Sequence, residues 1–193
     1  MGTIVVASRE DRGTTRERLV SMIPRLRACA ISLCGDPCRA DDLVQETLVK
    51  AWGHLHSFEE GTNLMAWLIT ILRNTFLSDY RKRRREVEDR SGDHDLAIHP
   101  EQFGKMDLND VLEALAKLPP EQRVALILVT AEQFSYEEVA KICGCSIGTV
   151  KSRVNRARGR LADLLGIRSA EEFGPDMMSA AIISRSTRIR DSD

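Results

Sequence analysis

Between Ser135 and Arg160 the chain carries the spacing of two short capped helices around a tight turn, which leaves that segment few other ways to fold. Ser135 can accept from first-turn amides while Glu138, three residues on, reaches back, and Ser146 with Thr149 offers a weaker start to the second helix. Gly144, between Cys143 and Cys145, can supply the positive φ of a sharp interhelix turn. Val139, Ile142, Ile147, Val150, Val154 and Ala157 recur at helical spacing, so the two helices are expected to pack on each other. The second then turns Gly148, Thr149, Lys151, Ser152, Arg153, Asn155, Arg156 and Arg158 outward, with no carboxylate before Asp163. Such a face suits the major groove of duplex DNA.

Composition narrows the rest. The 193 residues are 42% hydrophobic and 30% charged, ordinary for a globular chain, and a net charge of -1 hides a segregation of sign. Arg81 to Arg85 and Lys151 to Arg160 are basic, whereas Asp41, Asp42 and Glu46 are acidic. No stretch has the roughly 18 uninterrupted apolar residues of a membrane span, and no secretion signal precedes the first helix, so a cytoplasmic chain that does not enter membranes is expected. Five cysteines, at 29, 34, 38, 143 and 145, lack paired Cys-x-x-Cys knuckles, and His54 and His56 lie on a different predicted helix. They read as small buried hydrophobes, with no disulfide, metal or cofactor expected. Glu113 and Glu121 have no constellation of His, Ser or Cys around them, which removes the parts an enzyme would need.

The periodicity predicts helices throughout: an all-α chain of two small helical domains on a flexible linker. Residues 1–13 read as a loose arm, and Thr14 with Glu17 as a capping box opening a helix to Gly35 that Pro24 either kinks or divides. Asp36-Pro37 opens the next, with Val44, Leu48, Ala51, Trp52 and Leu55 inward and Asp41, Asp42, Gln45, Glu46 and Val49 outward. A loop over residues 57–63 leads to an apolar helix from Leu64 that ends in Arg81 to Arg85 and closes a domain over 14–85. Residues 86–106 are polar and aperiodic and read as the linker. A second domain over 107–165 starts at an Asp107 cap, breaks at Pro119-Pro120 and runs into the capped pair, before a tail over 166–193 with a short amphipathic segment at Met177 to Ile183.

Four motifs occur in an informative order. They are Asp-Asp-Leu-Val-Gln-Glu-Thr-Leu (41–48), Ala-Trp-Leu-Ile-Thr-Ile-Leu-Arg-Asn-Thr (66–75), Leu-Pro-Pro-Glu-Gln-Arg (118–123) and the capped pair. Together they resemble bacterial sigma factors of the two-domain extracytoplasmic-function (ECF) class. Arg39 to Leu48 and Cys143 to Arg158 further resemble the general-stress-response subgroup of alphaproteobacteria, the EcfG type.

That resemblance implies sigma region 2 over 14–85 and region 4 over 107–165. It implies that Asp41, Asp42, Gln45 and Glu46 dock on the basic clamp coiled coil of core RNA polymerase, with region 4 on the flap. It places Phe58, Asn63, Trp67, Asn74, Arg81, Lys82 and Arg83 on the -10 element, with Asn74 holding an extruded base. The -35 element falls to Thr149, Lys151, Ser152, Arg153, Asn155, Arg156 and Arg158. Promoter DNA and a small helical anti-sigma factor of the NepR type are the further implied partners of a factor monomeric when free. The alternative is a stand-alone helix-turn-helix regulator, which accounts for residues 135–160 and leaves the acidic helix, Asn74 and the arginine run without a purpose.

Overall fold

The computed structural model describes residues 9–90 and 108–166, with side chains over 15–86 and 110–166. Residues 1–8, the Asp107 cap, residues 91–107 and the tail with its Met177 to Ile183 segment lie outside the described residues. The described residues form seven α-helices and no strand: α1 Arg9–Cys34, α2 Pro37–Gly53, α3 Leu64–Arg90, α4 Leu108–Lys117, α5 Pro120–Thr130, α6 Tyr136–Cys143 and α7 Ile147–Leu164.

Local chemistry accounts for most of the boundaries. Asp36 caps α2 by accepting the Arg39 amide at 2.8 Å, with Pro37 at the first helical position. Asn63 opens α3 by accepting the Ala66 amide at 3.1 Å. Two boundaries differ from the sequence reading. α1 begins at Arg9, so Thr14 and Glu17 lie inside the helix and do not start it, and Pro24 is accommodated within one continuous element. α3 runs through Arg85 to Arg90, into the segment expected as linker, because Glu, Arg and Lys are good helix formers and no breaker occurs before Ser91-Gly92.

α1, α2 and α3 enclose Leu26, Leu33, Leu43, Val44, Ala51, Leu68 and Leu72, while α4 to α7 enclose Leu115, Val124, Ile127, Val139, Val150, Val154 and Leu161. Each of these leucine, isoleucine and valine side chains removed from water contributes roughly 1.5–3 kcal/mol. Trp52 departs from its expected inward place. The buried row of α2 is Ala40, Leu43, Val44, Thr47 and Ala51, and one further residue swings the indole outward to 53% exposure, under the Arg16 guanidinium at 5.0 Å. Ile147, expected inward, is 38% exposed in the first turn of α7. Cys29, Cys34 and Cys143 are buried, and burial pushes each thiol above its ordinary range, as inert core residues require.

The two helical groups share one contiguous core, with α1 against α4 and α5 and α3 against α5 and α6. Arg123 of α5 is 5% exposed at this junction. It donates to the carbonyl of Leu33 at 2.6 Å across the junction and to those of Leu118, at 3.1 Å, and Ala116 on its own side. Burial lowers its pKa to about 10, still far enough above neutrality to keep the charge.

Candidate polymerase and promoter interfaces

The outer face of α2 is acidic because its apolar residues follow the helical period and leave positions 42, 45, 46 and 49 facing out. Asp42 and Gln45 are exposed and carry no side-chain partner among the described residues. Glu46 is exposed and pairs with Lys50 at 2.6 Å, and Lys50 also donates to Thr75 of α3. Asp41 differs from its neighbours. It receives Arg27 of α1 through both oxygens, at 2.6 and 3.1 Å, and that guanidinium holds its carboxyl below the ordinary range. Asp41 therefore links α1 to α2, a pairing across 14 positions with no local sequence signal.

The expected -10 residues gather along α3 and the loop before it, with different degrees of access. Phe58 is 8% exposed and packs against Trp67, so most of its ring is turned to the interior and little of it faces solvent. Trp67 is half-buried and Asn63 and Asn74 are exposed. The cost of burying an unpaired amide therefore does not arise at Asn74, whose carboxamide oxygen accepts from Arg73 at 3.0 Å. Arg81 and Lys82 face solvent, whereas Arg83 is committed to Asp79 one turn earlier. Asn74, Tyr80, Arg81 and Arg84 form one wall of an open cleft of ≈ 1150 Å³ whose other wall is Lys117 to Glu121. Lys117 adds a cation that the sequence reading did not assign.

The capped pair has the expected geometry. Ser135 accepts the Glu138 amide at 3.2 Å while Glu138 accepts the Ser135 amide at 2.9 Å, and Gly144 sits at φ +61 in the turn. Ser146 caps α7 by accepting the Thr149 amide, and the two hydroxyls bond at 2.9 Å. Lys151, Asn155 and Arg156 are exposed, while Thr149, Ser152 and Arg158 are half-exposed. Lys151 also lies over the Tyr136 ring at 5.9 Å. Arg153 departs from the expectation of a free DNA contact: it pairs with Glu121 of α5 at 2.9 Å, and the same carboxylate reaches Arg73 of α3 at 3.5 Å. A single carboxylate thus joins the helix of Asn74 to the helix of Asn155. No described helix is long and apolar enough to cross a membrane.

Comparison with known proteins identifies the family of both helical groups. Residues 19–86 match the family model "Sigma-70 region 2", and residues 108–161 match "Sigma-70, region 4". The chain is 55% identical over 170 residues, 87% of its length and 94% of the relative's, to the ECF RNA polymerase sigma factor EcfG of Rhodopseudomonas palustris. It is 36% identical over 154 residues, 76% of its length and 60% of the relative's, to the ECF RNA polymerase sigma factor SigE of Mycolicibacterium smegmatis. Among solved structures it resembles the sigma factor RpoE of Bartonella quintana in complex with the anti-sigma factor NepR, at 52% identity and a TM-score of 0.68, over 81% of this chain and 99% of that one. CnrH in complex with the cytosolic domain of CnrY is similar at 26% identity and a TM-score of 0.56, over 84% and 92%. The region 2 match gives the acidic α2 and the polar edge of α3 the context that a stand-alone helix-turn-helix regulator would leave empty. The chain belongs to the ECF RNA polymerase sigma factors.

Proposed function

We propose that this ECF sigma factor is a dissociable promoter-specificity subunit that works by binding and melting and has no bond chemistry of its own. Region 2 docks on the polymerase clamp through Asp42, Gln45 and Glu46, where charge supplies register and attraction. Trp67 and Asn74 capture a base extruded from the -10 element, and Arg81 and Lys82 hold the backbone beside it. Region 4 reads the -35 duplex with Lys151, Ser152, Asn155 and Arg156, and Thr149 and Arg158 take edges or phosphates. The observation that carries the reading is the co-occurrence, in one chain, of an outward acidic helix face, on which Asp42 and Gln45 carry no partner among the described residues, and a carboxylate-free recognition face on a capped helix pair.

Kinship with EcfG supports a role in general-stress transcription, and the solved relative bound to NepR supports silencing by a small helical anti-sigma factor of that type. A cytoplasmic, monomeric free state fits both. Run-off transcription with core polymerase on a fully duplex promoter tests the proposal: a transcript dependent on this chain is expected. Operator-like binding to a palindrome with no transcript would sink it.

A further inference from the structure

The loop between α2 and α3 is fixed at both ends by its own sequence. Phe58 packs on Trp67, and Asn63 caps α3 through its side chain while its carbonyl receives the Trp67 amide at 3.1 Å. Between these anchors the backbone turns tightly. The Thr62 amide and hydroxyl both donate to the Glu59 carbonyl, at 3.2 and 2.6 Å, and Gly61 takes φ +88, a left-handed conformation that favours glycine. A Cβ there would meet nothing within 4 Å, so conformation and not crowding selects the glycine. These contacts shape the turn, but none of them ties its tip to another element.

Glu60, at that tip, supplies the tie. Thr15 of α1, 4% exposed, donates its hydroxyl to Glu60 Oε1, and Arg18, three residues on, reaches Glu60 Oε2 at 3.4 Å. One carboxylate thus spans 45 and 42 positions of sequence with its two oxygens. The Arg18 contact is long and half-exposed on both sides, so it holds little. The Thr15 bond is the stronger anchor, since a hydrogen bond to an ionised acceptor is roughly twice as strong as a neutral one. Nothing in the promoter mechanism above uses this carboxylate. Its sign also rules out a contact to the phosphate backbone, which it repels.

We propose that Glu60 is a positioning residue for the -10 element. By tying the loop to Thr15 it holds the wall beside Trp67 in one shape before a base is extruded, so the base meets a preformed surface and does not have to order a loose one. Ordering a loop on binding is subtracted from affinity, and a tether made beforehand removes that loss. The inference rests on the base-capture reading proposed above, without which the tether is a contact of the fold alone.

Two substitutions separate the tether from the charge. Glu60→Ala and Glu60→Gln both remove the negative charge, and only the second keeps an acceptor for the Thr15 hydroxyl. Holoenzymes assembled with core polymerase are titrated with promoter forks whose -10 element is already melted, carrying either the cognate base or an abasic site at the extruded position. The ratio of cognate to abasic affinity is the readout, because a change of charge moves both forks alike and leaves the ratio where it was. Glu60→Ala should lower that ratio on the order of tenfold, the loss expected for one hydrogen bond to a charged group. Glu60→Gln should recover most of it. Thr15→Val should reproduce the fall and add nothing to Glu60→Ala in the double variant, as members of one pair must. Amide exchange over residues 59–62 should quicken in Glu60→Ala and Thr15→Val, with little change in thermal unfolding.

An unchanged ratio in Glu60→Ala, or an equal fall in the Ala and Gln variants, overturns the proposal. So does a normal ratio in Thr15→Val, which would make Glu60 a direct contact to the base. Were the unsubstituted holoenzyme to bind cognate and abasic forks alike, the base-capture reading itself would fall, and the role of Glu60 with it.

Discussion

Phe58 carries Trp67: the ring centroids are 5.4 Å apart at an interplanar angle of 54°, with the phenyl buried and the indole half-exposed above it. The two aromatics therefore divide support from contact. Phe58→Ala should destabilise region 2 by about 3–5 kcal/mol, the usual cost of emptying a core phenyl site. Trp67→Ala should cost much less stability and lower the affinity for a pre-melted -10 strand, because stacking on a base is worth about 1–3 kcal/mol. Thermal unfolding and strand binding of both variants check this; similar melting temperatures for the two would remove the division of labour.

Asn74 makes a narrower claim. Its carboxamide is exposed and its oxygen is already oriented by Arg73. Asn74→Ala should leave -35 duplex binding and the fold unchanged, yet reduce open-complex formation, since the base it would hold exists only after melting. Permanganate footprints equal to those of the unsubstituted protein on duplex promoters would make it an ordinary surface amide.

On α2, pairing now separates residues that one acidic motif had grouped. Asp42→Lys with Glu46→Lys should weaken association with core polymerase and leave helicity intact, because both side chains face outward. Asp41→Asn should act on the fold through Arg27, within the 0–1 kcal/mol of a largely exposed ion pair. Co-purification with core polymerase at moderate salt reads the first effect and thermal unfolding the second.

What was legible in the sequence is what short spacing decides. Ser135 and Glu138 are three residues apart, Gly144 needs only its own backbone, and the apolar rows of α6 and α7 repeat within a turn, so the helix-turn-helix could be read residue by residue. Arg27–Asp41, Arg25–Glu132 and Arg123 with the Leu33 carbonyl span 14, 107 and 90 positions, and no local pattern announces them. Trp52 failed for a different reason. A large aromatic beside an apolar row is usually inward, but Ala51 already fills that place and the arginine at position 16 covers the indole outside. Arg153 belongs to the outward stripe by period, and only the fold brings Glu121 beneath it.

The capping box makes the helix-turn-helix acid-sensitive. The Ser135 amide and hydroxyl hold the Glu138 carboxyl below its ordinary range. A group whose folded pKa is depressed contributes stability above its unfolded pKa and loses it as pH falls, so the contribution is complete at neutrality and fades below about pH 4.3, the ordinary glutamate value. Melting followed from pH 7 to pH 3 should show a smaller acid-induced drop in Glu138→Gln than in the unsubstituted protein. Ser135→Ala should cost about 1 kcal/mol at neutral pH. Identical pH profiles for Glu138→Gln and the unsubstituted protein would remove Glu138 as a contributor.

Base reading and phosphate contact can be told apart along α7. Asn155 and Arg156 lie about one turn beyond Lys151 and Ser152, so the four can follow successive base pairs on one helical face. Arg156 is exposed and stands clear of the Glu121 pairing that occupies Arg153. Arg156→Ala should cost roughly 1–3 kcal/mol on the cognate -35 duplex and much less on single-base variants, which relaxes discrimination. Arg160, exposed nearer the helix end, should behave as a phosphate contact. Arg160→Ala should weaken every duplex alike and reduce the slope of affinity against salt by about one charge, as one fewer counterion is released. Titrations of both variants against cognate and altered duplexes at several salt concentrations decide the matter. Uniform weakening by Arg156→Ala would make that residue a clamp on the backbone and move sequence reading toward Lys151 and Ser152.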